Sequence, residues 1–217
     1  MAPHLLNPRL MCLVSSTDNL SLLPALAMAG VDTFQVRDKD LERAGLIELT
    51  AHVMALVPAA RVIVNDRIDV ALMIGADGVH LGASDMAVAD ARRLADRASG
   101  RRFLMGPFLI GATCRTAADV AAAAAAGADY AGVGPVFATT SKAGLPSPLG
   151  LDGLAAAGMH SPIPALGIGG ITTDNVEDVM AAGADGVAVI GGIWNAPDPV
   201  AAARALAAAV RPEQVTV

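Results

Sequence analysis

Short apolar runs bounded by turn residues recur along the chain, and longer alanine-rich or amphipathic stretches separate them. Runs at 10–14, 61–64, 103–111 and 163–168 alternate with others that each follow one short pattern: AGVD at 29–32, IGAD at 74–77, and AGAD at 126–129 and 182–185. The glycines of this pattern lie 45, 52 and 56 residues apart. A Gly after an alanine-rich helical stretch is a helix stop, and the apolar residues after the Asp read as a strand, so each copy marks a helix-to-strand return. The pattern predicts eight strands, with helices at about 18–29, 40–57, 67–74, 86–98, 115–126, 152–158, 173–182 and 198–210. Eight βα units favour a closed barrel. An open doubly wound sheet usually has fewer strands and a glycine fingerprint after the first, whereas the first strand here runs into SSTDN. No linker or charge run divides the chain, and the alanine run at 121–126 reads as a helix end. The expectation is an α/β protein, a single-domain (βα)8 TIM barrel over 1–217, with its active site at the C-terminal ends of the strands.

Composition narrows the function. The 54% hydrophobic content comes mainly from aliphatic residues, with 3% aromatic, which suits close-packed helices over branched strands and argues against stacking on bases. A net charge of −6 disfavours a nucleic-acid binder, while leaving room for a few local cations around a small phosphorylated ligand. Cys12 and Cys114 are the two cysteines, too few to staple a chain of this size, so reduced thiols and a cytoplasmic location are expected. The apolar runs are too short for a membrane span, and the start, MAPHLLNPRLMCLV, lacks the features of a signal peptide. Self-association into a homo-oligomer stays open.

The polar residues after the strands carry the chemistry in such a barrel. The second strand leads into QVRDKD, which puts Gln35, Arg37 and Lys39 at alternate positions and, with a period of two, on the same side. Asn65 and Asp66 follow the third strand; Asp85 follows the fourth, in HLGASDM. Each acid is placed to cap the helix that begins next, and each can still turn an oxygen toward a divalent metal that holds a phosphorylated substrate. His80 reads as an interior residue with a hydrogen-bonded ring, since no second His or Cys at zinc-ligand spacing accompanies it. Thr113 adds a hydroxyl after the fifth strand. After the sixth comes a long loop, GVGPVFATTSKAGLPSPLG, with Thr139, Ser141 and Lys142 available to a phosphate. Gly167 to Gly170 and Ile190 to Gly192 end the last two strands, where glycines let backbone N–H groups approach a phosphate.

Taken in order, QVRDKD, VNDRIDVALMIGADGVHLGASDM, GVGPVFATTSKAG, PALGIGGIT and DGVAVIGGIWNAPDP closely resemble the thiamine phosphate synthase family over about 10–199. The resemblance implies a Mg²⁺-dependent transferase whose partners are small phosphorylated substrates. It would join 4-amino-5-hydroxymethyl-2-methylpyrimidine diphosphate to the phosphate of 4-methyl-5-hydroxyethylthiazole and release diphosphate. By motif, Gln35, Arg37, Lys39 and Asn65 correspond to pyrimidine diphosphate contacts and Asp66 and Asp85 to the Mg²⁺ ligands. Thr139, Ser141, Gly170, Ile190 and Gly191 correspond to the thiazole phosphate site, and Lys142 to a diphosphate contact. Arg37, Lys39, Thr113 and Lys142 are the expected catalytic set. The family usually has Ser at Thr113, Thr at Ser141, Lys at Ala143, Gln at Ala83 and Ser at Gly191. Those departures bear on phosphate affinity more than on reaction type, because Thr113 and Ser141 keep a hydroxyl and Gly191 keeps its N–H.

No protein nucleophile is needed for that reaction, in line with the absence of a Ser-His-Asp or Cys-His set. The related thiazole tautomerases resemble this chain too, but carry a His where it has Pro135, so the proton-transferring base is missing. A non-catalytic phosphate-binding homologue is the other alternative, and it would need the glycine loops without both acids.

Overall fold

The four repeated tetrapeptides are the corners on which the chain turns. In the computed structural model, which describes residues 8–99, 107–140 and 144–211, their glycines Gly30, Gly75, Gly127 and Gly183 have φ of 116, 71, 98 and 95°. A side chain disfavours that left-handed region, and glycine enters it freely. The N–H of the following residue (Val31, Ala76, Ala128 or Ala184) then bonds back to Leu26, Ala71, Ala123 or Val179 across the helix end, the long bond of a Schellman closure in all four copies.

Each Asp of the pattern next clasps the preceding strand with both its backbone and its side chain. The Asp32 N–H donates to the Leu10 carbonyl, and its carboxylate accepts the Leu10 N–H at 3.2 Å. Asp77 makes the same pair with Val62, Asp129 with Ile110 and Asp185 with Ala165, the carboxylate bonds being 2.8, 2.7 and 2.8 Å. The repeat therefore encodes four quarter-barrels, each opening on a clasped pair of strands at the N-terminal rim.

The strands are β1 (Leu10–Val14), β2 (Thr33–Val36), β3 (Arg61–Asn65), β4 (Gly78–Leu81), β5 (Leu109–Cys114), β6 (Tyr130–Val133), β7 (Ala165–Ile168) and β8 (Gly186–Val189). They pair in parallel in sequence order, and β8 returns to β1 to close the barrel. Helices α1 (Leu23–Ala29), α2 (Arg43–Leu56), α3 (Ile68–Ile74), α4 (Val88–Ser99), α5 (Ala117–Ala125), α6 (Gly150–Gly158), α7 (Val176–Ala181), α8 (Gly191–Trp194) and α9 (Pro199–Val210) lie between and after them. Alternate strand residues face opposite ways. Met11, Leu13, Ile63, Leu109, Tyr130, Leu166 and Ala188 fill the barrel, while Cys12, Val14, Phe34, Val62 and Val64 pack with helix residues such as Leu26, Leu49 and Val53. Burial on both faces explains why the strands read as apolar runs rather than alternations.

Three elements depart most from the sequence reading. The first helix begins at Leu23 after a separate 3₁₀ turn over Leu20–Leu22, because Pro24 has no N–H to give and suits a first turn. β5 runs from Leu109 to Cys114; of the expected 103–111 run, 103–106 lie outside the described residues. The short α8 was not foreseen, since four residues are too few to show a helical period. Among the described residues no helix is long and apolar enough to cross a membrane.

Two predictions follow from this architecture. Asp32 also accepts from Arg9 N–H and Thr33 Oγ1, so Asp32→Ala strands several donors; a loss of about 1–3 kcal/mol is expected from the urea midpoint, and Asp32→Asn, which keeps one acceptor, should lose less. Both cysteines are free and buried. Burial, then the Asp18 charge, pushes the Cys12 thiol far up, and burial, then the Asp119 charge, pushes Cys114 up to about 11. Neither thiol should react with a disulfide reagent at about pH 8 until the protein is denatured.

Candidate active site at the barrel mouth

The C-terminal ends of the strands gather most of the residues singled out by sequence. Gln35 lies inside the barrel, 2% exposed, and its amide donates to the Met11 sulfur at 3.2 Å. β2 ends at Val36, one residue before Arg37, yet the Arg37 N–H still bonds the Val14 carbonyl at 2.8 Å and extends the ladder. Asp38 between the two cations turns to the neighbouring loop instead, accepting from Ser16 N–H at 3.0 Å and Ser16 Oγ at 2.6 Å. Burial opposes ionisation of Asp38, but these bonds and those from the Asp40 and Leu41 backbone outweigh it and lower its pKa. Asp38 thus fastens the loop that carries Arg37 and Lys39, a role not read from the sequence because it depends on a loop 22 residues away.

Lys39 reaches the next strand tip, with its Nζ 3.0 Å from Asp66 Oδ2. Asn65 ends β3 in register with His80, and the Asp66 N–H donates to the His80 carbonyl at 2.8 Å. The backbone then reverses at once. The Arg67 N–H bonds the Asn65 carbonyl at 2.7 Å across Asp66, whose φ is +64°. A three-residue turn of this hand is rare and strained, by roughly 1–3 kcal/mol for a residue other than glycine.

This geometry corrects the capping reading of both acids. α3 starts at Ile68 with Arg67 at its cap position and no side-chain cap bond, because the tight turn directs Asp66 away from the helix. α4 starts at Val88, beyond the reach assumed for Asp85, whose carboxylate instead accepts the Gly82 N–H at 2.7 Å within its own loop. The two carboxyls face each other. Burial opposes charge on Asp66, but hydrogen bonds with Asp85 and Lys39 and the charges of Lys39 and Arg37 hold its pKa low. Burial and then the bond to Asp66 push Asp85 up. Two acids so close disfavour each other's charge, which adds to the effect of burial in pushing Asp85 up, and a divalent cation between them would relieve that repulsion. Among the described residues no three His, Cys, Asp or Glu side chains form a metal cage. Mg²⁺ needs no such cage, since it takes one or two carboxylates and completes its shell with waters and substrate phosphate.

Across the mouth, Thr113 is the exposed residue of an otherwise buried β5. Behind it runs a polar line: the Thr113 hydroxyl is 3.1 Å from His80 Nε2, and His80 Nδ1 is 3.2 Å from the Tyr130 hydroxyl. His80 is the interior, hydrogen-bonded residue expected, and Tyr130, unremarked in the sequence, is its inner partner. A Cβ at Gly111 would collide with both rings, so that glycine makes their room.

The last loops meet beside these tips. Phe137 N–H bonds the Gly169 carbonyl at 3.0 Å, and a Cβ at Gly170 would meet Phe137 and the Ala138 carbonyl, so the 134–149 loop, which carries Thr139, rests on the β7 turn. Ser141 and Lys142 lie outside the described residues. Ile190 and Gly191 begin α8, which is tied to the end of β1 by the Trp194 indole N–H donating to the Leu13 carbonyl at 2.8 Å. A Cβ at Gly192 would strike the Ile171 carbonyl, so the β7 and β8 turns touch.

Comparison with known proteins identifies the family. The family model described as thiamine monophosphate synthase (TMP-TENI) matches residues 9–193. The thiamine-phosphate synthase of Chloroflexus aurantiacus is 44% identical over 88% of this chain and 84% of its own length. The thiamine biosynthesis bifunctional protein ThiM/ThiE of Symbiobacterium thermophilum is 44% identical over 92% of this chain, which spans 40% of that protein's length. Among solved structures, thiamine phosphate pyrophosphorylase from Pyrococcus furiosus is similar with a TM-score of 0.80 and 30% identity, covering 93% of this chain and 95% of that one. With a match of this extent along its length, the chain belongs to the thiamine monophosphate synthase family.

Proposed function

We propose that this chain, a thiamine-phosphate synthase by family, joins 4-amino-5-hydroxymethyl-2-methylpyrimidine diphosphate to the phosphate of 4-methyl-5-hydroxyethylthiazole in the cytoplasm. The observation that carries the reading is the pairing of Asp66, held in a strained turn, with Lys39 and Asp85 at the barrel mouth. Strain of this kind persists where the surrounding structure imposes it, and it clusters at active sites.

In this reading Asp66 and Asp85 are the residues that would hold Mg²⁺, which when bound would supply charge neutralisation to the diphosphate. Arg37 and Lys39, from the loop fastened by Asp38, bind the same group, with Lys142 from the 134–149 loop. As the methylene carbon–oxygen bond breaks, its electron pair leaves with the diphosphate, and these cations stabilise the growing negative charge. The pyrimidine amino group feeds electrons toward the methylene carbon, and the thiazole nitrogen forms the new bond. Gln35 and Asn65 orient the pyrimidine. Thr113, held by His80, offers a hydroxyl to the diphosphate. The thiazole phosphate lies against Thr139, Ser141 and the backbone of Gly170, Ile190 and Gly191, where barrel enzymes usually bind phosphate.

Supplied with both substrates and Mg²⁺, the protein should release thiamine phosphate and diphosphate in equal amounts; well-folded protein that makes neither would sink the assignment. Asp66→Asn removes the charge while an amide side chain tolerates the left-handed backbone. It should melt within about 0.5 kcal/mol of wild type and lose about 100-fold in kcat/KM, equivalent to about 2.7 kcal/mol. Unchanged turnover would exclude Asp66 from metal binding.

A further inference from the structure

The 134–149 loop is closed at its neck by two backbone bonds, Leu149 N–H to the Pro135 carbonyl at 2.8 Å and Gly150 N–H to the Val136 carbonyl at 2.9 Å. A side chain from another loop closes it further. Arg115, the residue directly after β5, donates from Nη1 to the Gly134 carbonyl at 3.2 Å and from Nη2 to the Ser147 carbonyl at 2.9 Å. One guanidinium thereby joins the start of the loop to its return, 13 residues further on.

The root of this fork is itself fixed. The Arg115 N–H donates to Asp119 Oδ2 at 3.0 Å, and the same carboxylate takes the Thr116 N–H in the capping box of α5. On the other side, Val136 N–H bonds the Ile168 carbonyl at 2.8 Å and Phe137 N–H the Gly169 carbonyl at 3.0 Å. The loop base is therefore framed between the tips of β5 and β7. Thr139 follows two residues beyond Phe137, and Thr113 stands two residues before Arg115.

We propose that Arg115 is a positioning residue, whose fork sets the separation of the two ends of the 134–149 loop and so presents Thr139 at the mouth. Both acceptors are backbone carbonyls, so the clamp requires two donors in one rigid plane and not merely a positive charge. Arginine supplies that plane; lysine supplies a single point charge on a flexible stem. The link to turnover rests on the synthase reading, whereas the clamp itself does not.

Lys142 is the sole Lys or Arg between Arg115 and Arg204, so trypsin reports on the loop through one diagnostic cut. Wild type, Arg115→Ala and Arg115→Lys are compared for the rate of cleavage after Lys142, with circular dichroism as the control for folding. KM and kcat are measured in parallel, the thiazole phosphate being varied. Both variants should be nicked about tenfold faster than wild type, as expected when a local opening becomes easier by about 1.4 kcal/mol. KM for the thiazole phosphate should rise about tenfold with a smaller change in kcat. Wild-type nicking in either folded variant overturns the clamp, and so does full rescue of both readouts by lysine. If Arg115→Ala does not fold, the nicking rate of Arg115→Lys decides. Absence of turnover in wild type would count against the synthase reading alone, leaving the proteolytic result to judge the clamp.

Discussion

The structure depends on a clasp made four times at the N-terminal rim, in which an Asp gives its N–H to one strand residue and takes that residue's N–H on its carboxylate. A closed parallel barrel must start every strand at the correct stagger, or the last cannot meet the first. The clasp sets the stagger of β1 on β2, β3 on β4, β5 on β6 and β7 on β8 where the chain enters the sheet. It also satisfies polar backbone groups at a buried strand start, which would otherwise go unpaired. The same peptide stops the preceding helix through its glycine, so one short pattern governs both the end of a helix and the register of a strand.

That division of labour leaves the opposite rim free for features that do not favour folding. Asp66 occupies a strained turn, and its carboxyl faces that of Asp85 with one lysine to offset them. Gln35, His80 and Tyr130 place polar groups inside a barrel that Met11, Leu13, Ile63, Leu109, Leu166 and Ala188 otherwise fill with apolar side chains. Each of those groups has a partner, so the polar line from Tyr130 through His80 to Thr113 stiffens the site without leaving a buried donor unpaired. Glycines recur near the mouth for a packing reason as well as for backbone freedom: Gly111 clears space for two rings, and Gly170 and Gly192 let neighbouring loops touch.

The loops are tied to one another for a related reason. Asp38 holds the cation-bearing loop to the one after β1, Arg115 holds the long loop to the one after β5, and Trp194 holds α8 to the end of β1. In each case a polar side chain from one βα unit bonds another unit, so the tips of neighbouring strands form one connected frame. Residues that would meet substrate therefore stand on loops whose positions are set by residues that would not.

The eight βα units, the helix stops and the strand starts were legible in the sequence because they follow from hydrophobic period and turn chemistry, both local properties. The ordered motifs were enough to indicate the family, and the positions of Gln35, Asn65, Asp66, Asp85, Thr113 and the terminal glycines at strand tips follow from the unit count. Tertiary structure alone decided what those side chains touch. Asp66 and Asp85 looked like helix caps, since an acid before a helix usually is one; the tight turn at Asp66 and the Gly82 loop removed both from that role. Asp38, Tyr130 and Arg115 carried no signal, because their partners lie 22, 50 and 19 or 32 residues away. Parallel register brings such residues together, and register is a property of the closed barrel rather than of any segment within it.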